Sequence, residues 1–141
     1  MRRLTILTHF RGAAAEPSGE PPQTNPRASS VSIDVVEDDG SVGPIVRASY
    51  ENHATFTGES TFAETGSIRY DDDGELQITT LSDGALGPSA QPGVLHGAAL
   101  YRIEAGSGRF DGASGLITSN FLLHPATGEF EERQVAVVFL P

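Results

Sequence analysis

Ten residues, Gly106-Ser107-Gly108-Arg109-Phe110-Asp111-Gly112-Ala113-Ser114-Gly115, constrain the fold of this chain more than any other stretch. They separate two long runs with strand character, Val94 to Glu104 and Leu116 to His124. Four glycines in that span supply the backbone freedom of a tight reversal, so the two runs are expected to fold back on each other as antiparallel strands. Phe110, the one large apolar residue between them, can plug the end of whatever they enclose. The segment is not a dinucleotide-binding loop. Asp111 stands where Gly-x-Gly-x-x-Gly needs its third glycine, and a strand rather than a helix follows.

The same grammar runs along the rest of the chain. Leu4 to Phe10 alternates as a first strand. Val31 to Val36 and Ile45 to Tyr50 flank an Asp38-Asp39-Gly40-Ser41 turn, and Ser67 to Tyr70 and Glu75 to Leu81 flank Asp71-Asp72-Asp73-Gly74. Leu116 to His124 and Phe130 to Leu140 are joined through Pro125-Ala126-Thr127-Gly128. Ala54 to Ala63 is β-rich but interrupted by Gly58, which suggests a bulge or bend. Residues 82–93 carry three glycines and two prolines and read as a loop. Residues 12–30, with Pro17, Pro21, Pro22 and Pro26, read as a longer one that is either mobile or serves as a strap or lid. Eight or nine such strands fit one all-β domain over residues 1–141, a closed antiparallel barrel of about eight strands.

Composition narrows the chemistry. A formal net charge of −10 and scattered basic residues exclude a nucleic-acid surface and disfavour an anionic membrane. All nine basic residues are arginine, so neither a Schiff-base lysine nor a P-loop lysine exists. Without cysteine there is no thiolate nucleophile, disulfide or cysteine-based metal site. His9, His53, His96 and His124 show no metal-ligand spacing, and no Gly-x-Ser-x-Gly elbow occurs, so neither a metal nor another cofactor is expected. Arg2-Arg3 before Leu4 to Leu7 is too short for a signal peptide, and a cytoplasmic protein is the expectation.

Candidate site residues follow from strand parity. From Val94 to Glu104, the face carrying Leu95, Gly97, Ala99, Tyr101 and Ile103 makes the better barrel interior. There small Gly97 and Ala99 leave room beside Tyr101, whose hydroxyl is the candidate catalytic donor to a ligand carbonyl; a core tyrosine bonded to backbone is the alternative. Phe121 and Leu123 on one neighbouring strand, Val135, Val137 and Phe139 on another, and Leu76 and Ile78 further round complete an apolar wall. Tyr50, Tyr70 and His53 add polar points near strand ends. His96, Arg102 and Glu104 fall on the outer face.

The strand bearing Gly97 and Tyr101, followed by the Gly106–Gly115 reversal and a second strand, resembles the allene oxide cyclase and dirigent barrel superfamily, whose members carry a similar Gly-x-Gly-x-Phe-x-Gly-x-x-Gly turn. The likeness covers residues 93 to 124. It implies a lipocalin-shaped barrel holding an apolar small molecule, often in a homo-oligomer, here a dimer. It also implies the activities of that superfamily, which include cyclisation of allylic epoxides, steering of radical coupling, and bacterial polyketide cyclisation, some of it of the Diels–Alder type. The expected function is a cofactor-independent cyclase or isomerase of an apolar polyketide-like or polyene substrate. Holding a flexible chain in its reactive shape removes entropy from the barrier. A non-catalytic carrier and a dirigent-like structural oligomer are the alternatives.

Overall fold

A computed structural model describes residues 1–38, 40 and 42–141, with Glu37 described through its backbone alone. Part of the expected Asp38-Asp39-Gly40-Ser41 turn, at Asp39 and Ser41, therefore lies outside the described residues. The strands are β1 (Arg2–Ala13), β2 (Gln23–Thr24), β3 (Arg27–Glu37), β4 (Ala48–Phe56), β5 (Thr61–Tyr70), β6 (Gly74–Thr80), β7 (Gly84–Pro88), β8 (Leu95–Gly108), β9 (Ser114–His124) and β10 (Glu129–Leu140). Among the described residues there is no helix, and so none long and apolar enough to cross a membrane.

Eight strands close a ring in the order β4-β3-β1-β10-β9-β8-β6-β5, and the β4–β5 pairing shuts it. Every pairing is antiparallel. The two short strands lie outside the ring: β2 on β4, and β7 against β5 and β8 just past the end of β6. Closure leaves no free edge in the ring, which is how a chain without cysteine holds a sheet this size together.

Alternating side chains point inward, and the inward set is apolar at one end. Leu4, Ile6, Ile68, Leu76, Ile103, Ile117, Val138 and Leu140 fill that end. Phe110, fully buried, stops it, its ring centroid 5.2 Å from that of Tyr70. The glycines around it make this seat. A Cβ on Gly74 would stand 2.4 Å from the Phe110 ring, and one on Gly108, at φ 60°, would stand 2.0 Å from the Asp73 carbonyl oxygen. Arg109 pins the plug from outside through a 2.6 Å ion pair to Asp71 and a 2.8 Å hydrogen bond to the Pro44 carbonyl.

Several local expectations are revised. β3 and β4 pair only from Arg27↔Glu51 to Ser29↔Ser49, so the return strand begins at Ala48 rather than Ile45, although the Ile45 side chain is still buried. Of the bulge or bend expected at Gly58, the structure has the bend, between β4 and β5. Residues 82–93 contain β7. Residues 12–30 are an ordered strap. Its ends belong to β1 and β3, its middle holds β2, and the Ser18 and Gln23 backbones bond each other. Proline-rich composition hid these pieces because so short a strand has no period to detect.

Candidate active site

Toward the other end of the barrel the inward positions become polar. On β4 the interior residues after Ala48 are Tyr50 and Asn52; on β5, Glu64 follows Phe62; on β10, Glu132 and Gln134 follow Phe130; on β9, Ser119 follows Ile117. All six polar side chains are buried. Both carboxyls sit among neutral donors. Tyr101 Oη donates to Glu64 Oε1 at 2.7 Å and Asn52 Nδ2 to Glu64 Oε2 at 2.8 Å. Tyr50 Oη donates to Glu132 Oε1, while Ser119 Oγ and Gln134 Nε2 donate to Glu132 Oε2. Gly66 makes the first arrangement possible, since a Cβ there would fall 1.8 Å from Asn52 Oδ1.

These two carboxyls open onto a pocket of about 80 Å³. Its walls are otherwise apolar, formed by Ala54, Phe56, Phe62, Leu86, Phe121, Leu123 and Phe130, with Tyr50 and Tyr101 beside the acids. Ala14, Thr24 and Pro26 of the strap line it as well. His53 ties the strap down through a 2.8 Å contact between its Nδ1 and Asn25 Oδ1. Among the described residues that line the pocket, none is basic.

Burial of a carboxylate in such walls disfavours its charged form. Desolvation, with Glu132 adding repulsion against the opposing hydrogen bonds from Tyr101 and Asn52, pushes the Glu64 carboxyl up to about 7. Desolvation likewise raises the phenols of Tyr50 and Tyr101, reinforced by the carboxyls beside them. Both tyrosines therefore stay neutral donors at ordinary pH, while Glu64 exchanges its proton near neutrality. That is the range in which a general acid or base works best.

The structure gathers some of the residues read from sequence and disperses others. Tyr101, Tyr50, Phe121 and Leu123 line the pocket. Ala99 and Ile103 are buried on the same face of β8, Leu95 is half-buried opposite Leu123, and Leu76 and Ile78 pack in the core rather than on the pocket. The room expected beside Gly97 is occupied, since a Cβ there would stand 2.2 Å from the Phe121 ring. Val135, Val137 and Phe139 do not form the inner wall. On β10 the inward parity belongs to Phe130, Glu132, Gln134, Ala136, Val138 and Leu140, and two polar members disguised it. Tyr70 is fully buried at the plug end beside Phe110, away from the pocket. His53 is exposed, on the outer face of β4. The hydroxyl of Tyr101 is directed at Glu64 and is not free for a ligand carbonyl.

Sequence reasoning passed over Glu64, Glu132, Asn52, Ser119 and Gln134. The available signal was parity: Phe62-x-Glu64 and Phe130-x-Glu132-x-Gln134 continue inward alternations that Ile68 and Val138 also obey. Among the described residues no cluster of histidine and carboxylate side chains could hold a metal ion. No protein-family model, no curated protein and no solved structure matches the chain.

Proposed function

We propose that the protein is a cofactor-independent isomerase or cyclase that acts on a small, largely apolar molecule inside the barrel, with Glu64 as the group that gives and takes the proton. One observation carries this reading: two buried carboxyls, each held by a tyrosine, open onto an otherwise apolar pocket. Glu132 supports Glu64 by repelling its charged form, and Tyr101 holds the Glu64 carboxyl in place. The apolar walls confine the substrate and exclude water, so a bent, reactive shape is held at the acid. The resemblance of residues 93 to 124 to cyclase barrels points the same way and keeps polyketide-like or polyene cyclisation in view.

A carrier is the weaker reading on physical grounds. Burying carboxyls costs a protein several kcal/mol per charge, to order of magnitude, and sequestering a neutral lipid gains nothing from them. A barrel that is purely structural would have been filled by the apolar residues that fill the plug end.

The test is turnover in deuterated water. Purified protein is incubated with a panel of linear unsaturated apolar precursors, followed by mass spectrometry for products of the same composition that carry solvent deuterium. Glu64→Gln is expected to lower the rate by about 100-fold or more, the range for loss of a general acid–base group. Ala54→Phe, which fills the pocket, should abolish turnover. Unchanged rates in both variants would remove the assignment.

A further inference from the structure

The hydrogen-bond inventory of the pocket is lopsided. Of the side chains that line it, the hydroxyls of Tyr50 and Tyr101 are both committed to the two carboxyls. The remaining lining hydroxyl, on Thr24, donates to the Ala15 carbonyl at 2.7 Å. Acceptors, by contrast, are left over. On the lining itself the Glu64 carboxylate, with two donors, has lone pairs to spare, and the Glu132 carboxyl stands with it on the same walls. Around them stand the rings of Phe56, Phe62, Phe121 and Phe130, whose negative faces attract cations.

With Glu64 ionised, an entering group that accepts hydrogen bonds finds no free donor among the lining side chains, and an entering anion meets two carboxyls with no basic side chain on the walls. A donor with positive charge meets the reverse. We propose that the substrate is an apolar amine bound as its ammonium ion, its N–H groups donating to the glutamates and its alkyl or aryl body lying against the phenylalanine rings. This rests on the reading of the pocket as a substrate site and adds the substrate's charge. An ammonium ion also resolves the repulsion between Glu64 and Glu132 that otherwise favours protonation of Glu64. The groups facing Glu64 are Tyr101 on β8, Asn52 and Tyr50 on β4 and Glu132 on β10, and none of them brings a positive charge.

The experiment uses three probes of one shape: 3,3-dimethylbutylamine, 3,3-dimethylbutan-1-ol and 3,3-dimethylbutanoate, titrated into the intact chain and followed by amide chemical shifts. At about pH 8.5, where Glu64 is ionised, the amine is expected to bind about tenfold tighter than the alcohol or better, with no binding of the carboxylate. The preference should shrink as the pH falls through about 7 and Glu64 takes up its proton. Glu64→Gln and, independently, Glu132→Gln should each narrow the gap, so a folding failure in one leaves the other. Equal binding of amine and alcohol would overturn the charge assignment while leaving the pocket intact as a site for neutral molecules. Preference for the carboxylate would overturn it as well. If none of the three binds, both this inference and the substrate-site reading fall.

Discussion

Glu64 is a residue whose chemistry and stability pull in opposite directions. Its carboxyl holds a proton more tightly in the folded barrel, up to about 7, than the ordinary value of 4.5 that the unfolded chain offers. The folded state therefore binds more protons between those values, and stability falls as the pH rises through that window. Above about 7 the full penalty is present, on the order of 3 kcal/mol. Glu64→Gln should remove it. The glutamine carbonyl can still accept from Tyr101, and Asn52 can turn its unpartnered Oδ1 toward the new amide. Urea titrations are expected to find the variant more stable than the natural chain at pH 8, with the difference vanishing toward pH 4.5. A constant difference across that range would mean that Glu64 titrates normally in the fold. The variant that loses turnover should thus gain stability, the usual sign of a group retained for its chemistry.

At the scale of strands and turns, two glycines decide where the large rings go. Gly97 on β8 lets Phe121 on β9 lie across it, and Gly74 on β6 seats Phe110. Gly97→Ala should push the Phe121 ring toward the pocket and weaken ligand binding by about tenfold or more, while leaving the plug end untouched. Phe110→Ala acts differently. It opens a cavity at the apolar end of the core, where Phe110 is fully buried, and a loss of roughly 3–5 kcal/mol in chemical denaturation is expected. These elements also show what could be read in advance. The glycine-rich reversal, the acidic Asp71-Asp72-Asp73-Gly74 turn and the inward face of β8 were legible because glycine spacing and alternation are local properties. The site was not. Glu64 and Glu132 lie 68 positions apart in sequence, and only ring closure brings β5 and β10 to face a common interior. Period-two reading went wrong on β10 because it followed the apolar Val135, Val137 and Phe139, whereas the true inner row contains a glutamate and a glutamine.

The whole molecule is a barrel with unlike ends, hydrophobic and stoppered at Phe110, polar and strapped at the other. Leu7, Leu116 and Val135 give the outer surface an exposed apolar stripe across β1, β9 and β10, with Leu7 and Val135 directly paired. A second copy of the chain is the expected cover for it. Sedimentation should report a dimer that Val135→Glu dissociates, and a natural chain that sediments as a monomer at every concentration tried would refute that. The stopper has a kinetic corollary. Since the Phe110 end is closed, whatever enters past the strap must leave by the same doorway, and a spent molecule blocks the next arrival until it departs. The chamber is a cul-de-sac, so turnover should be throttled by its own product, and loosening the His53–Asn25 tether should quicken departure more than it alters the chemical step.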